Sequence, residues 1–466
     1  MRHPHSASRL RRASTAIGAA SLVALTLAAC SPGSGSDGSA SPTTPSASAG
    51  FDTSKDVTIT VSDGWGTTGT GELFGKIIDD FEAKYPNVTV KRDTTDYDSY
   101  SQSINLKGSS PNPPDVMMLQ TAGYGQGFYQ FARSGLLLPL DDYFDAYGWS
   151  GRFGADTNLD VFRFDAGDGD QWGSGPLYGL PEQNSMMTVF YNSKLLKQAG
   201  IDEPPTTLGE FEKSLETAKA AGITPIAQHN SYIHTYMAIW NAISGDAAPI
   251  NDWIYGRGGS FDTEESREAA AKVQDWQDAG YFQDGVSGAT YADASGYFLN
   301  GKALYYIEGS WMTGAVEGSF GADGGAFQLT GDDGAAAPAG GGLTTPLTIS
   351  SKSKHPEVAA AFLDYFTSEA VSDELFEGGW GLPGAVVSDG VSEATGLTNE
   401  VLGILAPIEA EGGAGTTPFL DWAAPTLSEQ LPAALQQLAD GKLTPEEFTS
   451  QIEGITSDFA DERSGS

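Results

Sequence analysis

Cysteine is all but missing from this 466-residue chain: Cys30 stands alone. No disulfide can form within the chain, so its fold must rest on buried apolar surface, which a chain this long can supply. Positive charge is scarce too. The chain has 25 Lys and Arg against 61 Asp and Glu, a formal net charge of −36. That balance argues against nucleic acid and anionic membrane surfaces as partners. The acids are dispersed, so most read as solvated surface. Histidine is rare, and beyond Cys30 only His229, His234 and His355 remain. His229 and His234 are five residues apart, wrong for one helix face, so neither a metal nor a cofactor is expected. Nucleophile and metalloprotease signatures such as G-x-S-x-G and H-E-x-x-H are absent, as is a P-loop. Gly69-Thr70-Gly71 falls short of G-x-G-x-x-G and reads as a tight turn between strand and helix. Long apolar runs are lacking as well. The run Ile17 to Ala29 is about 13 residues, too short to span a bilayer but suited to the apolar region of an export signal.

Arg9, Arg11 and Arg12 precede that run, and Leu27-Ala28-Ala29-Cys30 closes it. One aliphatic residue, two small ones and a cysteine resemble the bacterial lipobox. The resemblance implies a lipoprotein signal peptide over 1–29, cleavage before Cys30, and a lipid on its thiol. Two or three acyl chains hold a protein firmly at a membrane. The expected location is therefore outside the cytoplasm, anchored to the cell membrane. Removing Arg2, Arg9, Arg11 and Arg12 takes four positive charges from −36 and leaves about −40. Ser31 to Gly50 is Ser, Gly, Pro, Ala and Thr with one charge, Asp37. It has nothing to bury, so 30–52 reads as a flexible tether, with order beginning between Phe51 and Asp56.

From there strands and helices alternate. Val57 to Val61 has strand alternation. Leu73, Phe74, Ile77, Ile78, Phe81 and Tyr85 keep helical spacing until Pro86. Val88 to Val90 predicts a second strand, Tyr97 to Leu106 a helix, and Asp115 to Leu119 a third strand. This order predicts an α/β fold with a mostly parallel sheet, whose ligands bind beyond the carboxyl ends of the strands. Trp65 and Gln120 lie at two such ends. Asp165 to Asp170 lacks the EF-hand spacing and reads as a solvated hairpin loop. Leu195 to Ala221 reads as helices, Phe298 to Trp311 as a helix end, a strand and Gly-Ser-Trp, and Leu343 to Ile349 as a strand. Pro356 to Thr367 and the region after Pro418 read as helical.

Several segments together resemble the extracellular solute-binding proteins of ABC importers, in the sugar-binding family that includes maltose-binding protein. Phe81-Glu82-Ala83-Lys84-Tyr85-Pro86-Asn87-Val88 is similar to its F-x-x-x-Y-P-x-I/V segment. Gly135 to Asp141 is similar to G-x-L-x-P-L-D. Tyr178-Gly179-Leu180-Pro181, Phe190-Tyr191-Asn192 and Pro204-Pro205-Thr206-Thr207 follow in the family's order. Gly301-Lys302-Ala303, Gly309-Ser310-Trp311 and Ser353-Lys354-His355-Pro356-Glu357 come after them. The likeness runs from about Val57 to Ile452. It departs at Leu208, where Trp is usual, and over the Gly- and Ala-rich Ala315 to Gly342. It implies a two-lobed, periplasmic-binding-protein-like fold of type II, with helices on both sheet faces and a hinge between the lobes. Lobe one would hold 53–180 plus 343–376, and lobe two 181–342 plus 377–466. It also implies a monomeric receptor that captures a carbohydrate, by expectation an oligosaccharide, and passes it to the transmembrane subunits of an ABC permease.

A sugar offers C–H faces to aromatic rings and hydroxyls to carboxylates and amides. Of the 9 tryptophans, Trp65, Trp311, Trp380 and Trp422 sit beside loop signals and are the candidate stacking residues. Trp240 and Trp276 lie in helical stretches and read as core. The polar candidates are Gln120, Glu182, Gln183, Asn184, His229 and Asp421. Two other readings compete with a sugar receptor. One is a cationic amine in an aromatic, acidic cage, which the net charge favours. The other is a secreted hydrolase, which would need two carboxylates flanking one bond.

Overall fold

The computed structural model describes residues 48–466 except 68, 126, 154–157, 168–169, 333, 389–395, 411 and 465–466, and leaves aside the side chain of residue 98. The export signal, Cys30 and most of the expected tether lie outside the described residues. Among those described, no helix is long and apolar enough to cross a membrane.

β1 (Val57–Asp63), β2 (Val88–Thr94) and β3 (Val116–Met118) form where alternation predicted them, and β1 pairs in parallel with both others. The helix Thr70–Lys84 links β1 to β2 and buries Phe74, Ile77, Ile78 and Phe81. Each such side chain contributes roughly 1.5–3 kcal/mol when removed from water. Gly71 makes the preceding turn possible, because a Cβ there would lie 2.4 Å from the Gly66 carbonyl oxygen. The helix Pro356–Phe366 covers the same layer, with Phe362 edge-on to Phe81 at 5.3 Å.

β4 (Arg163–Asp165) and β5 (Gln171–Leu177) form a separate hairpin. Its acidic connection matches the expected hairpin loop, although Asp168 and Gly169 lie outside the described residues. Asp170 departs from a solvated reading: it is buried and paired with Arg133 at 2.9 Å.

Two strands then organise the remainder. β6 (Gly179–Asn192) is 14 residues long and β10 (Ala339–Ile349) is 11. They run antiparallel to each other, and β10 also pairs antiparallel with β3. At Met187 the partners of β6 change: its second half lies between β8 (Ala303–Gly309) and β9 (Gly324–Phe327). β7 (Thr224–Ala227) extends β8 in parallel, and β11 (Thr416–Thr417) extends the start of β10. One sheet thus runs β2-β1-β3-β10-β6 and continues through β6 into β8-β7. The parallel expectation holds at β1–β3 and β7–β8; the two long strands make the sheet mixed. Gly341 has φ +127°, and a Cβ on it would meet the Ser185 carbonyl oxygen at 2.1 Å, so β10 passes β6 there only as glycine.

At the end of β1, Asp63 is fully buried and takes Arg92 Nε at 2.7 Å and Nη2 at 2.9 Å, with Thr94 Oγ1 at 2.7 Å. It also accepts the backbone N–H of Trp65 at 3.0 Å. D63N would leave the Arg92 guanidinium without its charge partner, and we expect a loss of about 3–5 kcal/mol in urea unfolding at pH 7. A loss under about 1 kcal/mol would place this pair with solvated surface pairs instead.

Candidate functional site

A cavity of about 480 Å³ opens where the carboxyl ends of both sets of strands converge. Trp65 follows β1, Tyr97 follows β2, and Gln120 and Thr121 follow β3. Gln183, Thr344 and Thr345 come from the long strands. Ile233 and His234 follow β7, Trp311 follows β8, and Phe419, Asp421 and Trp422 follow β11. Tyr97 and Tyr291 also line it and are 47% and 40% exposed, large apolar rings left open to solvent at the cavity wall.

The rings are held by specific contacts. Trp65 Nε1 donates to Glu182 Oε2 at 3.0 Å, and its ring lies 4.5 Å from that of Trp380. Trp311 Nε1 donates to the Tyr291 hydroxyl at 2.8 Å. Gly309 gives Trp311 its room, since a Cβ there would stand 2.2 Å from the indole. Phe419 bridges Trp311 at 6.2 Å and Trp422 at 5.5 Å. The Gln120 amide donates to the Tyr97 carbonyl at 3.0 Å and accepts from the Ser101 hydroxyl, fixing the start of the helix Tyr97–Ser109. Gln183 Nε2 donates to the Trp380 carbonyl at 3.0 Å. Burial pushes the Asp421 carboxyl up to about 6.

Of the residues expected from sequence, Trp65, Gln120, Gln183, Trp311, Asp421 and Trp422 line the cavity. Four others do not. Trp380 is fully buried, because Gly379 and Gly381 let its backbone close onto Gly314 and Ser310 rather than onto a ligand. Glu182 is fully buried beneath Trp65. Asn184 points to the other side of β6, where its amide donates to Glu409 at 3.1 Å beside a separate cavity of about 700 Å³. His229 lies behind His234, 5.4 Å from it ring to ring. Trp240 and Trp276 are core, as expected.

The five-residue spacing of the histidines proves the wrong test. His229 sits in the turn after β7, and only His234 belongs to the helix Ile233–Ser244, so the two rings meet. Between them lies the buried Glu308, 3.1 Å from His234 Nδ1 and 3.7 Å from His229 Nε2. Burial works to raise the Glu308 carboxyl, but the two imidazoles and the Gly309 N–H outweigh it and hold it low. Burial works to lower His234, and Glu308 more than offsets it. His229 is lowered to about 4, chiefly by burial.

Tyr97, Tyr291, Phe419 and His234 were not singled out as site residues in the sequence. Tyr97 directly follows a helix cap at a strand end, which is a usable signal; Tyr291 joins the wall through tertiary contacts, a bond from Trp311 and a ring contact with His229.

The profile of the bacterial extracellular solute-binding proteins matches residues 64–372. The chain belongs to that family. A binding protein of Brucella abortus is 26% identical over 254 residues, which is 53% of this chain and 57% of that protein, so the match spans little more than half of that relative. The multiple sugar-binding protein of Streptococcus mutans is 25% identical, covering 65% of this chain and 69% of its own. A solved chitin oligosaccharide binding protein superposes with a TM-score of 0.73 at 24% identity, over 87% of this chain and 99% of that one, and shares the two-lobed type II fold.

Burial raises Glu182 well above the usual carboxylate range, and the Trp65 indole only partly opposes it. A raised folded value means full stability below the ordinary value of 4.5 and a loss as the pH climbs. E182Q is neutral throughout, so its Tm should gain on wild type over the interval above pH 4.5. A difference that stays flat across that interval would show that the buried carboxyl ionises without cost.

Proposed function

We propose that this chain is a carbohydrate receptor that holds an oligosaccharide in the aromatic cavity and releases it chemically unchanged. One observation carries the reading: indole and phenol rings face a single cavity from both sets of strand ends, interleaved with Gln120, Gln183 and Asp421. Rings pack on the C–H faces of a pyranose, and amides and a carboxylate take its hydroxyls. The volume falls within the range of small-molecule sites, about 300–1,000 Å³. The sugar-binding names of the Streptococcus mutans relative and of the oligosaccharide-binding structural neighbour support it.

In this proposal the lobes, 53–180 plus 343–376 and 181–342 plus 377–466, close on the sugar about β6 and β10. The closed monomer then presents it to the transmembrane subunits of an ABC permease, with a lipid on Cys30 keeping the receptor at the outer face of the cell membrane. Asp96 and Asp421 in the cavity wall are the observation that favours the second reading, a cationic amine.

A thermal-shift screen over maltose-, xylose- and galactose-type oligosaccharides and polyamines separates the two, since a tight ligand raises the midpoint. We expect a carbohydrate response, with the recovered sugar intact by chromatography. A response to amines alone, or cleavage of the sugar, would overturn the proposal. In calorimetry with the responding sugar, W65A and W311A should each weaken binding by roughly 1–3 kcal/mol. G309A should act in the same direction by displacing the Trp311 ring, whereas W276A, deep in the core, should act on stability only.

A further inference from the structure

Two of the chain's 5 histidines converge on one buried glutamate. One donor atom from each of His229, His234 and Glu308 lies within 4.8 Å of the other two. Two protein donors bound at about 2.0–2.2 Å around a tetrahedral zinc ion stand roughly 3.3–3.6 Å apart. The observed separations of 3.1 and 3.7 Å to Glu308 bracket that value. The donor chemistry, two imidazoles and a carboxylate, suits a borderline divalent ion.

The surroundings already aim these atoms. His229 is buried, and its Nδ1 is engaged by the Ser231 hydroxyl at 2.9 Å. Its Nε2 is fully enclosed and has no hydrogen-bond partner among the described residues. A buried imidazole nitrogen left unmatched costs stability unless something meets it. The turn carrying His229 is stiff: Gln228 Nε2 donates to the His229 carbonyl at 2.6 Å, and the Thr235 hydroxyl donates to Gln228 Oε1 at 2.5 Å. Tyr232 is held there in the left-handed region at φ 55°. The second Glu308 oxygen accepts the Gly309 N–H at 3.0 Å, which orients the carboxylate. Supporting bonds of this kind are what preorganise metal ligands.

We infer that His229 Nε2, His234 Nδ1 and Glu308 Oε2 form a three-ligand site for a zinc-class divalent ion, bordering the cleft through His234. His234 lines the cavity, and its ring lies 5.9 Å from Trp311 and 6.3 Å from Phe419. The ion replaces the proton shared between His234 and Glu308, which leaves to solvent. It ties the first turn of the helix Ile233–Ser244 to the end of β8, and so fixes one wall of the ligand cavity. The fourth position falls to water or to a donor atom of the bound solute. This inference holds whichever solute fills the cleft.

Protein without an oligohistidine tag, stripped with EDTA, tests it by titration with CoCl2 and then ZnCl2. The expected result is one ion per chain, an intense visible cobalt spectrum of tetrahedral type, and its loss when zinc displaces cobalt. H234Q and E308Q should weaken cobalt binding at least tenfold, while H355Q should bind as wild type does. A wild-type spectrum showing only pale, hydrated octahedral cobalt would overturn the site, and this readout needs no variant to fold. Equal affinity in wild type and E308Q would overturn it as well.

Discussion

The antiparallel pairing of β6 with β10 is the constraint on which the rest depends. β6 pairs with β10 over its first part and with β8 and β9 over its second, so two sets of strand ends face one another across a common seam. The glycines of β10 make this approach possible, above all Gly341, whose conformation and clearance exclude any side chain. Once the seam is fixed, the loops after β1, β2, β3, β7, β8 and β11 all open toward one cavity. Parallel α/β sheets bind ligands beyond their carboxyl ends. Here two such ends open onto one cavity.

Within that frame, the rings that face the cavity are braced by residues that do not touch it. Glu182 and Trp380 sit beneath Trp65, one through a hydrogen bond and one through ring contact. Asp63 holds the backbone of the same loop while it pairs with Arg92. On the opposite wall, Gly309 clears space for Trp311. Rings braced in this way have little side-chain entropy left to lose, and preorganisation of this kind favours affinity for whatever a cavity takes up.

Much of this was legible in the sequence. Period-two and helical spacing placed β1, β2 and the helix Thr70–Lys84, and residue order implied the fold. Trp65 and Gln120 were singled out as strand-end residues and Trp311 and Trp422 by loop signals, all local properties, whereas Gln183 followed from the resemblance; all five line the cavity. What failed was direction. Glu182, Gln183 and Asn184 are consecutive in one strand, so their side chains alternate between faces. Sequence proximity could not say that Gln183 reaches the cavity while Glu182 braces Trp65 and Asn184 meets Glu409. The glycines around Trp380 did signal a close approach, but to Gly314 and Ser310 rather than to a ligand. His229, His234 and Glu308 meet only through tertiary pairing, which no spacing rule along one helix could show.

β6 is unbroken across its change of partners. A one-residue insertion there would turn every following side chain to the opposite face and put both halves of the molecule out of phase at once. The loops at the strand ends carry no such penalty. Descendants of this sequence should therefore acquire new ligand preferences through those loops, while the length of the connecting strand stays frozen.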